Sequence, residues 1–449
     1  MLIALFVSFN VGFAQQDEEC MNNLSIFDSY YKSKKYDDAY GPWKIVHEKC
    51  PKFNQAIYAY GDNILEHKIE NSTGAEQLGF INELMTVYDQ SHEFYPSKYA
   101  LGEMLVEKAQ LAYSYRKELG KTDQQVYDMF DEAYKKDAKS FDSAKGLYTY
   151  FSLAVDIYDA GAKTPEDAQK MFDKYDDVME LIDNVEESYI QRLNKLVEKE
   201  EAGTALTSKE GKYKKNYEAN LEAFDTVKSS MDTKVGDRAN CEVLVPLYEK
   251  DFEANKNDGE WLQRAMNRMY AKECKEDPLF LKLVEQKNTI EPTADTSFYL
   301  YILTGEQKYF DQTIELETDP LKKARLYKKL AQELKDKGSY GRARQYYSEA
   351  LKLNPSDGTP YLSIAAMYAK SANSCGDTNF NKRAVFWLAA NEAEKAGRVD
   401  GRLKSTAAKT AASYRGSAPS KADIFTEGNA GQSLKIGCWI GRTITVPNI

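Results

Sequence analysis

Histidine is nearly missing from this chain: His47, His67 and His92 are the only three, and that scarcity narrows the chemistry open to it. His47-Glu48 has no second histidine three residues on, so the zinc-protease helix motif is absent. No two cysteines stand in a C-x₂-C pair, which removes the common structural zinc sites. There is no G-x-S-x-G elbow and no glycine loop of the kind that cradles phosphate. Positive charge is in deficit, with 60 Lys and Arg against 70 Asp and Glu and a net charge of −10. That sign argues against a nucleic-acid-binding role, since backbone phosphates need a basic face. No apolar run approaches the roughly 20 residues that cross a bilayer, so no transmembrane span is expected after processing. The sequence therefore assigns no catalytic residue, no cofactor and no metal site. Carboxylate runs such as Glu198-Lys199-Glu200-Glu201 read as solvated surface.

What is present is a helical period. Between Ala324 and Pro355, counted back from the proline, Tyr327, Leu330, Ala331, Leu334, Ala343, Tyr347 and Ala350 recur at i, i+3, i+4 and i+7 on two successive segments. The small Ala343 and Ala350 allow a second helix to approach the bulky Tyr327 and Leu330 of the first. Pro355 ends the unit because it has no N–H to continue the ladder. The stretch resembles the tetratricopeptide (TPR) repeat, a 34-residue helix-turn-helix. The resemblance implies an all-α, TPR-like superhelix of helical hairpins and a mode of action, protein binding. It also gives the 32 tyrosines a role as interlocking core residues.

The same logic extends along the chain. Ile26, Phe27, Tyr30, Ala39, Trp43 and Val46 fall on signature positions of a first repeat, Cys20 to Phe53, around a Lys34-Lys35 turn. Looser units follow, with Ile57, Tyr60, Gly61 and Ile64, then Leu105, Val106 and Ala109, then Ala144, Leu147, Tyr148 and Phe151. From Pro165 to Lys199 the apolar spacing of Met171, Tyr175, Val178, Ile182, Val185, Tyr189 and Leu196 approaches 3.5 residues. This long helix and a return over Ser208 to Met231 predict a central antiparallel hairpin, either an arm that touches a partner or an elongated repeat. Repeats resume at Cys241. The last, starting at Tyr361, carries an interruption from Ser371 to Phe380, and Leu403 to Tyr414 supplies a closing helix. The expected domains are thus a signal peptide 1–14, N-terminal repeats running into the long helix 20–200, a return helix 201–240, C-terminal repeats 241–423 and a β tail 424–449.

Both ends have their own character. The start MLIALFVSFNVGFAQQ reads as a secretory leader cut after Ala14. In the tail, Leu434, Ile436, Cys438 and Ile440 alternate with Lys435, Gly437 and Trp439, and Gly441-Arg442 can turn into Thr443 to Val446, the signal of a small β hairpin capping the last repeat. The GCWIG of this tail, the preceding ANSCGD and the region Cys241 to Val446 are similar to a group of exported bacterial TPR proteins without a defined activity.

Six cysteines remain. In a helical hairpin the start of the first helix lies beside the end of the second, and Cys20 and Cys50 hold those two places, as do Cys241 and Cys274 in a later repeat. Cys375 and Cys438 are left, one in the interruption and one in the tail. In an exported protein these pairs predict three disulfides.

One surface points to a ligand. Arg325, Lys328, Gln332 and Lys335 fall on the concave face of the repeat at Ala324. In chaperone-binding TPR proteins a lysine and an asparagine at the places of Lys328 and Gln332 help clamp a peptide carboxylate. Here glutamine replaces that asparagine, and Ser363 stands where the next repeat supplies another. The expected function is a non-catalytic protein-binding scaffold or adaptor of the cell envelope. It is expected in the periplasm or at the outer membrane, with other proteins or peptides as partners, within an envelope or outer-membrane complex. The alternative is an exported enzyme or an enzyme's accessory subunit with a site between helices.

Overall fold

The computed structural model describes residues 8–448, with side chains from Glu18 onward. The expected leader, residues 1–14, therefore lies outside the described residues, apart from the backbone of its second half. The fold is all-α and TPR-like, with a small C-terminal β hairpin. Two compact units divide the chain: the described residues up to Asp183 with Val227–Val235, and Asn184–Thr226 with the chain from Gly236 onward.

The N-terminal unit stacks helices α1 (Ser8–Lys32), α2 (Tyr36–Lys49), α3 (Ala56–Glu70), α4 (Gly74–Phe94), α5 (Leu101–Ser114), α6 (Asp123–Asp137) and α7 (Ala144–Ala160). Phe27, Ala39, Trp43, Val46, Ile57 and Ile64 are fully buried in one continuous core. Ile26, expected among them, is 44% exposed instead. Its neighbour Phe27 takes the inward position, because adjacent residues on a helix point about 100° apart and only one can face α2. The Trp43 indole donates to the Ile57 carbonyl at 2.7 Å, which fixes the crossing of α2 and α3. Gly61 leaves room for that ring, since a Cβ there would stand 2.7 Å from it.

Helices α8 (Pro165–Glu201) and α9 (Ser208–Val235) form the long hairpin, and each unit contains part of it. In the N-terminal unit the Tyr175 hydroxyl donates to Asp232 at 2.7 Å and the Lys234 ammonium to Asp156 at 2.8 Å. In the C-terminal unit Lys199 meets Glu210 at 2.8 Å, and Tyr189 packs against Tyr217 and Phe224. There the inward stripe departs from the sequence expectation: Leu193 and Val197 are buried and Leu196 is only half-buried. The tip packs on Val399 and Tyr361 as well as on Leu221, so its buried face is already occupied by the chain's own repeats.

The C-terminal unit continues with α10 (Cys241–Asn255), α11 (Gly259–Ala271), α12 (Pro278–Ile290), α13 (Ala294–Thr304), α14 (Gln307–Leu316), α15 (Pro320–Asp336), α16 (Tyr340–Leu353), α17 (Thr359–Cys375), α18 (Asn379–Val399), α19 (Lys404–Ser417) and α20 (Lys421–Glu427). Starts are set chemically. Asp277 and Asp319 each cap a helix whose first residue is proline. The clear repeat is α15 and α16, with Leu330, Ala331, Leu334, Ala343, Tyr347 and Ala350 all buried. The expected interruption at Ser371 to Phe380 is shorter than the sequence suggested. Helix α17 continues to Cys375 with Ser371 and Ala372 buried, and Thr378 caps α18 by accepting from the Asn381 N–H at 3.1 Å. α20 lies partly in the region assigned to the tail.

The tail pairs β1 (Ser433–Lys435) antiparallel to β2 (Thr443–Thr445), with Leu434 opposite Ile444. The connection is the whole loop 436–442 rather than a tight Gly441-Arg442 turn. It folds back onto α16 and onto α17, the first helix of the last repeat. Trp439 packs against Tyr340 and Tyr368, and its indole donates to Ser371 at 3.0 Å.

Candidate functional site: a cationic groove on the C-terminal repeats

The four residues singled out in the sequence sit on α15, but they do not form an open cationic clamp. Lys328 places its ammonium 2.5 Å from the Asp357 carboxylate. Asp357 also accepts from the Thr359 N–H at 2.9 Å and from its hydroxyl at 2.6 Å. Burial pushes this carboxyl up, but Lys328 and Thr359 outweigh burial and hold it below the ordinary aspartate range. Gln332 donates to Asp336 at 2.8 Å and accepts from the Tyr347 hydroxyl at 3.1 Å. Arg325 is exposed and Lys335 half-buried. Lys328 and Gln332 are therefore engaged by the fold itself.

The open cationic cavity, about 310 Å³, lies one helix further on. Helix α16 contributes Arg344, Ser348 and Lys352, spaced four apart and so on one face. Helix α17 contributes Tyr361, Ile364 and Tyr368 at i, i+3 and i+7, and α18 adds Glu392 and Lys395. Arg442 of the tail closes it. Four cations thus converge against one carboxylate on the wall.

Their states differ. Arg344 donates to the Tyr368 hydroxyl at 3.1 Å and to the Ile440 carbonyl at 2.7 Å. Its guanidinium lies 5.3 Å from the Trp439 ring and 5.9 Å from that of Tyr368, so aromatic faces hold it in place. Lys395 pairs with Glu392 at 3.0 Å, and Lys352 with Glu349 at 2.7 Å. The Lys352 pair is exposed, and such a pair is weak and exchangeable. The Arg442 side chain has no ion pair or hydrogen bond among the described residues. Burial, then the charges of Glu201 and Glu392, push the Tyr361 phenol up, so it remains a neutral donor at neutral pH. Guanidinium, ammonium and phenol groups gathered around one cavity are a set that receives carboxylates.

The N-terminal unit has the opposite polarity. A cavity of about 150 Å³ is walled by Tyr58, Tyr88 and Tyr99 with Asp62, Glu103 and Glu107. Burial first, and then neighbouring carboxylates, raise the carboxyls of Glu107 and Glu66; for Asp62 burial is the cause, opposed by the hydroxyl that Tyr88 donates at 2.7 Å.

The histidines are occupied structurally. His47 is buried and stacked on Trp43, His67 pairs with Asp37 at 3.2 Å, and His92 Nδ1 donates to the Tyr99 carbonyl at 2.8 Å. The cysteines come together as Cys20 with Cys50, Cys241 with Cys274 and Cys375 with Cys438, with Cα separations of 6.4, 5.5 and 5.2 Å and the sulfurs bonded. Among the described residues no helix is long and apolar enough to cross a membrane.

No family model and no curated protein matches the chain. Among solved structures it is similar to the crystal structure of yeast Tom70, at 14% identity over 92% of this chain and 90% of that one, with a TM-score of 0.29. It is also similar to Naa15/Naa10 bound to HypK (12% identity, 91% and 70% coverage, TM-score 0.18) and to a circular tandem repeat protein of novel repeat topology (11%, 93% and 99%, 0.16). At such scores the likeness adds nothing to what the helices themselves show.

Sequence reasoning missed Arg344, Lys352, Lys395 and Arg442 as members of one site. The i, i+4, i+8 spacing on α16 was a readable signal for one wall. The meeting of that wall with α18 and the tail was not, because it depends on how three helices cross.

Proposed function

We propose that this protein is a non-catalytic binding scaffold that takes an acidic segment of a partner protein into the groove between α16, α17 and α18. The observation that carries the reading is the convergence of Arg344, Lys352, Lys395 and Arg442 on one cavity. Preorganised helix pairs leave the partner segment as the main element that loses freedom on binding. Three cysteine pairs at bonding distance fit an oxidising compartment. Together with the leader-like start and the resemblance to exported bacterial TPR proteins, they favour the periplasm or the outer-membrane surface, within an envelope complex.

Zero-length carbodiimide crosslinking in the cell envelope tests this, because it joins only ammonium and carboxylate groups in contact. The expected product links Lys352 or Lys395 to an Asp- or Glu-rich peptide of another protein and disappears in the Lys352→Glu/Lys395→Glu variant. Crosslinks indifferent to that charge reversal sink the groove assignment. A cytoplasmic pool with an intact Met1 sinks export.

A further inference from the structure

The six cysteines differ in access. Cys20, Cys274 and Cys375 are buried, Cys50 and Cys241 are half-buried, and Cys438 alone is exposed. Cys438 also sits in the middle of the loop 436–442 that carries the groups facing the groove. Trp439 and the Ile440 carbonyl hold Arg344, and Arg442 completes the wall. Ile436 and Ile440 are buried and Trp439 packs on Tyr340 and Tyr368, and the Cys375–Cys438 bond is the loop's covalent tie to α17. Its two strands are three residues each, and a two-stranded hairpin is marginal in water. The Cys438 backbone lies in the left-handed region at φ 48°, a conformation that a side-chain-bearing residue keeps only where its surroundings impose it.

From this we infer that the tail is a redox-releasable wall of the groove. The Cys375–Cys438 bond holds Arg442 and the groups that position Arg344 in place, and a dithiol that opens it weakens the groove for acidic segments. The inference rests on the acidic-segment reading above and adds its regulation. The chemistry is ordinary exchange with a protein or small-molecule dithiol. Its thiolate attacks the Cys438 sulfur, the Cys375–Cys438 bond breaks, and Cys375 leaves as a thiolate that takes up a proton. The second thiolate of the dithiol then displaces Cys438 from the mixed disulfide, and Cys438 is protonated in turn. The dithiol is oxidised by two electrons, and Cys375 and Cys438 together are reduced by two.

Three measurements on the full chain test it. Limited dithiothreitol followed by alkylation and mass mapping is expected to label Cys375 and Cys438 before the other four cysteines. In Cys375→Ala/Cys438→Ala, which leaves the other two disulfides in place, hydrogen exchange over 433–446 is expected to rise while exchange in α15 and α18 stays as in the wild type. Binding of a fluorescein-labelled hexaglutamate is expected to fall roughly tenfold, as for Arg442→Ala, the loss of about one charge-assisted contact. Earlier labelling of another pair, an equally protected tail in the double variant, or an exposed tail with unchanged hexaglutamate affinity each overturns the inference. If the oxidised wild type does not bind hexaglutamate at all, the acidic-segment reading fails. The tail is then judged on exchange alone: protection that depends on the disulfide supports a releasable wall, and protection in both proteins refutes it.

Discussion

Two turns with one geometry carry different residues at the position that matters. After α15, Gly338 adopts φ 73°, its N–H donates to Lys335, and the Ser339 N–H reaches back to Leu334 at 2.8 Å. After α1 the same pair of bonds forms from Lys34 to Tyr31 and from Lys35 to Tyr30, but the left-handed residue, at φ 57°, is Lys34. A Cβ is costly there and glycine is not. Lys34→Gly is therefore expected to stabilise the N-terminal unit by about 0.5–1 kcal/mol, and Gly338→Ala to destabilise the C-terminal unit by a similar amount, both read as urea midpoints. Glu107 offers a pH-dependent test. Its carboxyl is raised in the fold, so the folded state holds protons that the unfolded state releases. Stability in this group's window consequently rises as pH falls from above the raised pKa toward the ordinary glutamate value of 4.5. Glu107→Gln removes that penalty. The variant is expected to melt higher than the wild type at pH 7 and level with it near pH 4. A gain at pH 4 equal to that at pH 7 counts against the electrostatic cause.

Within elements, the crossing of α15 and α16 depends on small side chains. Ala343 and Ala350 are almost completely buried, and a larger side chain at either has no free volume to fill. Ala343→Leu or Ala350→Phe is expected to cost about 1–3 kcal/mol by overpacking, measured as a lower unfolding midpoint of the C-terminal unit. Wild-type midpoints in both variants refute the packing register. α17 shows an element overriding its apparent punctuation. The polar run Ser371-Ala372-Asn373-Ser374 looks like a loop in sequence, yet it remains helical. The Ser374 hydroxyl donates to the Ser371 carbonyl at 3.1 Å, and Ser371 is buried beneath Trp439. Local propensity is weak, and tertiary contacts readily outweigh it.

For the whole molecule, cysteine ties at separations of 30, 33 and 63 residues each restrict the unfolded chain by about 4 kcal/mol in the chain-entropy model. Non-reducing peptide mapping is expected to recover Cys20 with Cys50, Cys241 with Cys274 and Cys375 with Cys438. The Cys20→Ala/Cys50→Ala variant is expected to speed pulse proteolysis of the N-terminal unit while sparing the C-terminal one, because each cysteine pair lies within a single unit. Equal loss in both units argues that they unfold as one.

The sequence by itself determined the helical hairpins, their turns and the hairpin ends at which cysteines meet. Each of these is a local pattern, written in a period of 3.6 residues or in a loop a few residues long. It also showed that the region around α15 is rich in lysine and arginine. Only the tertiary structure decided which cations are used up and which stay open. Asp357, 29 residues from Lys328, occupies that ammonium, while Ile440, 96 residues from Arg344, aims that guanidinium into the cavity. The exposure of Ile26, the burial of Leu193 and Val197, and the return of the tail onto α16 and α17 belong to the same class. Each depends on which helix faces meet after packing, and a one-dimensional period carries no record of the crossing angle that brings two distant faces together.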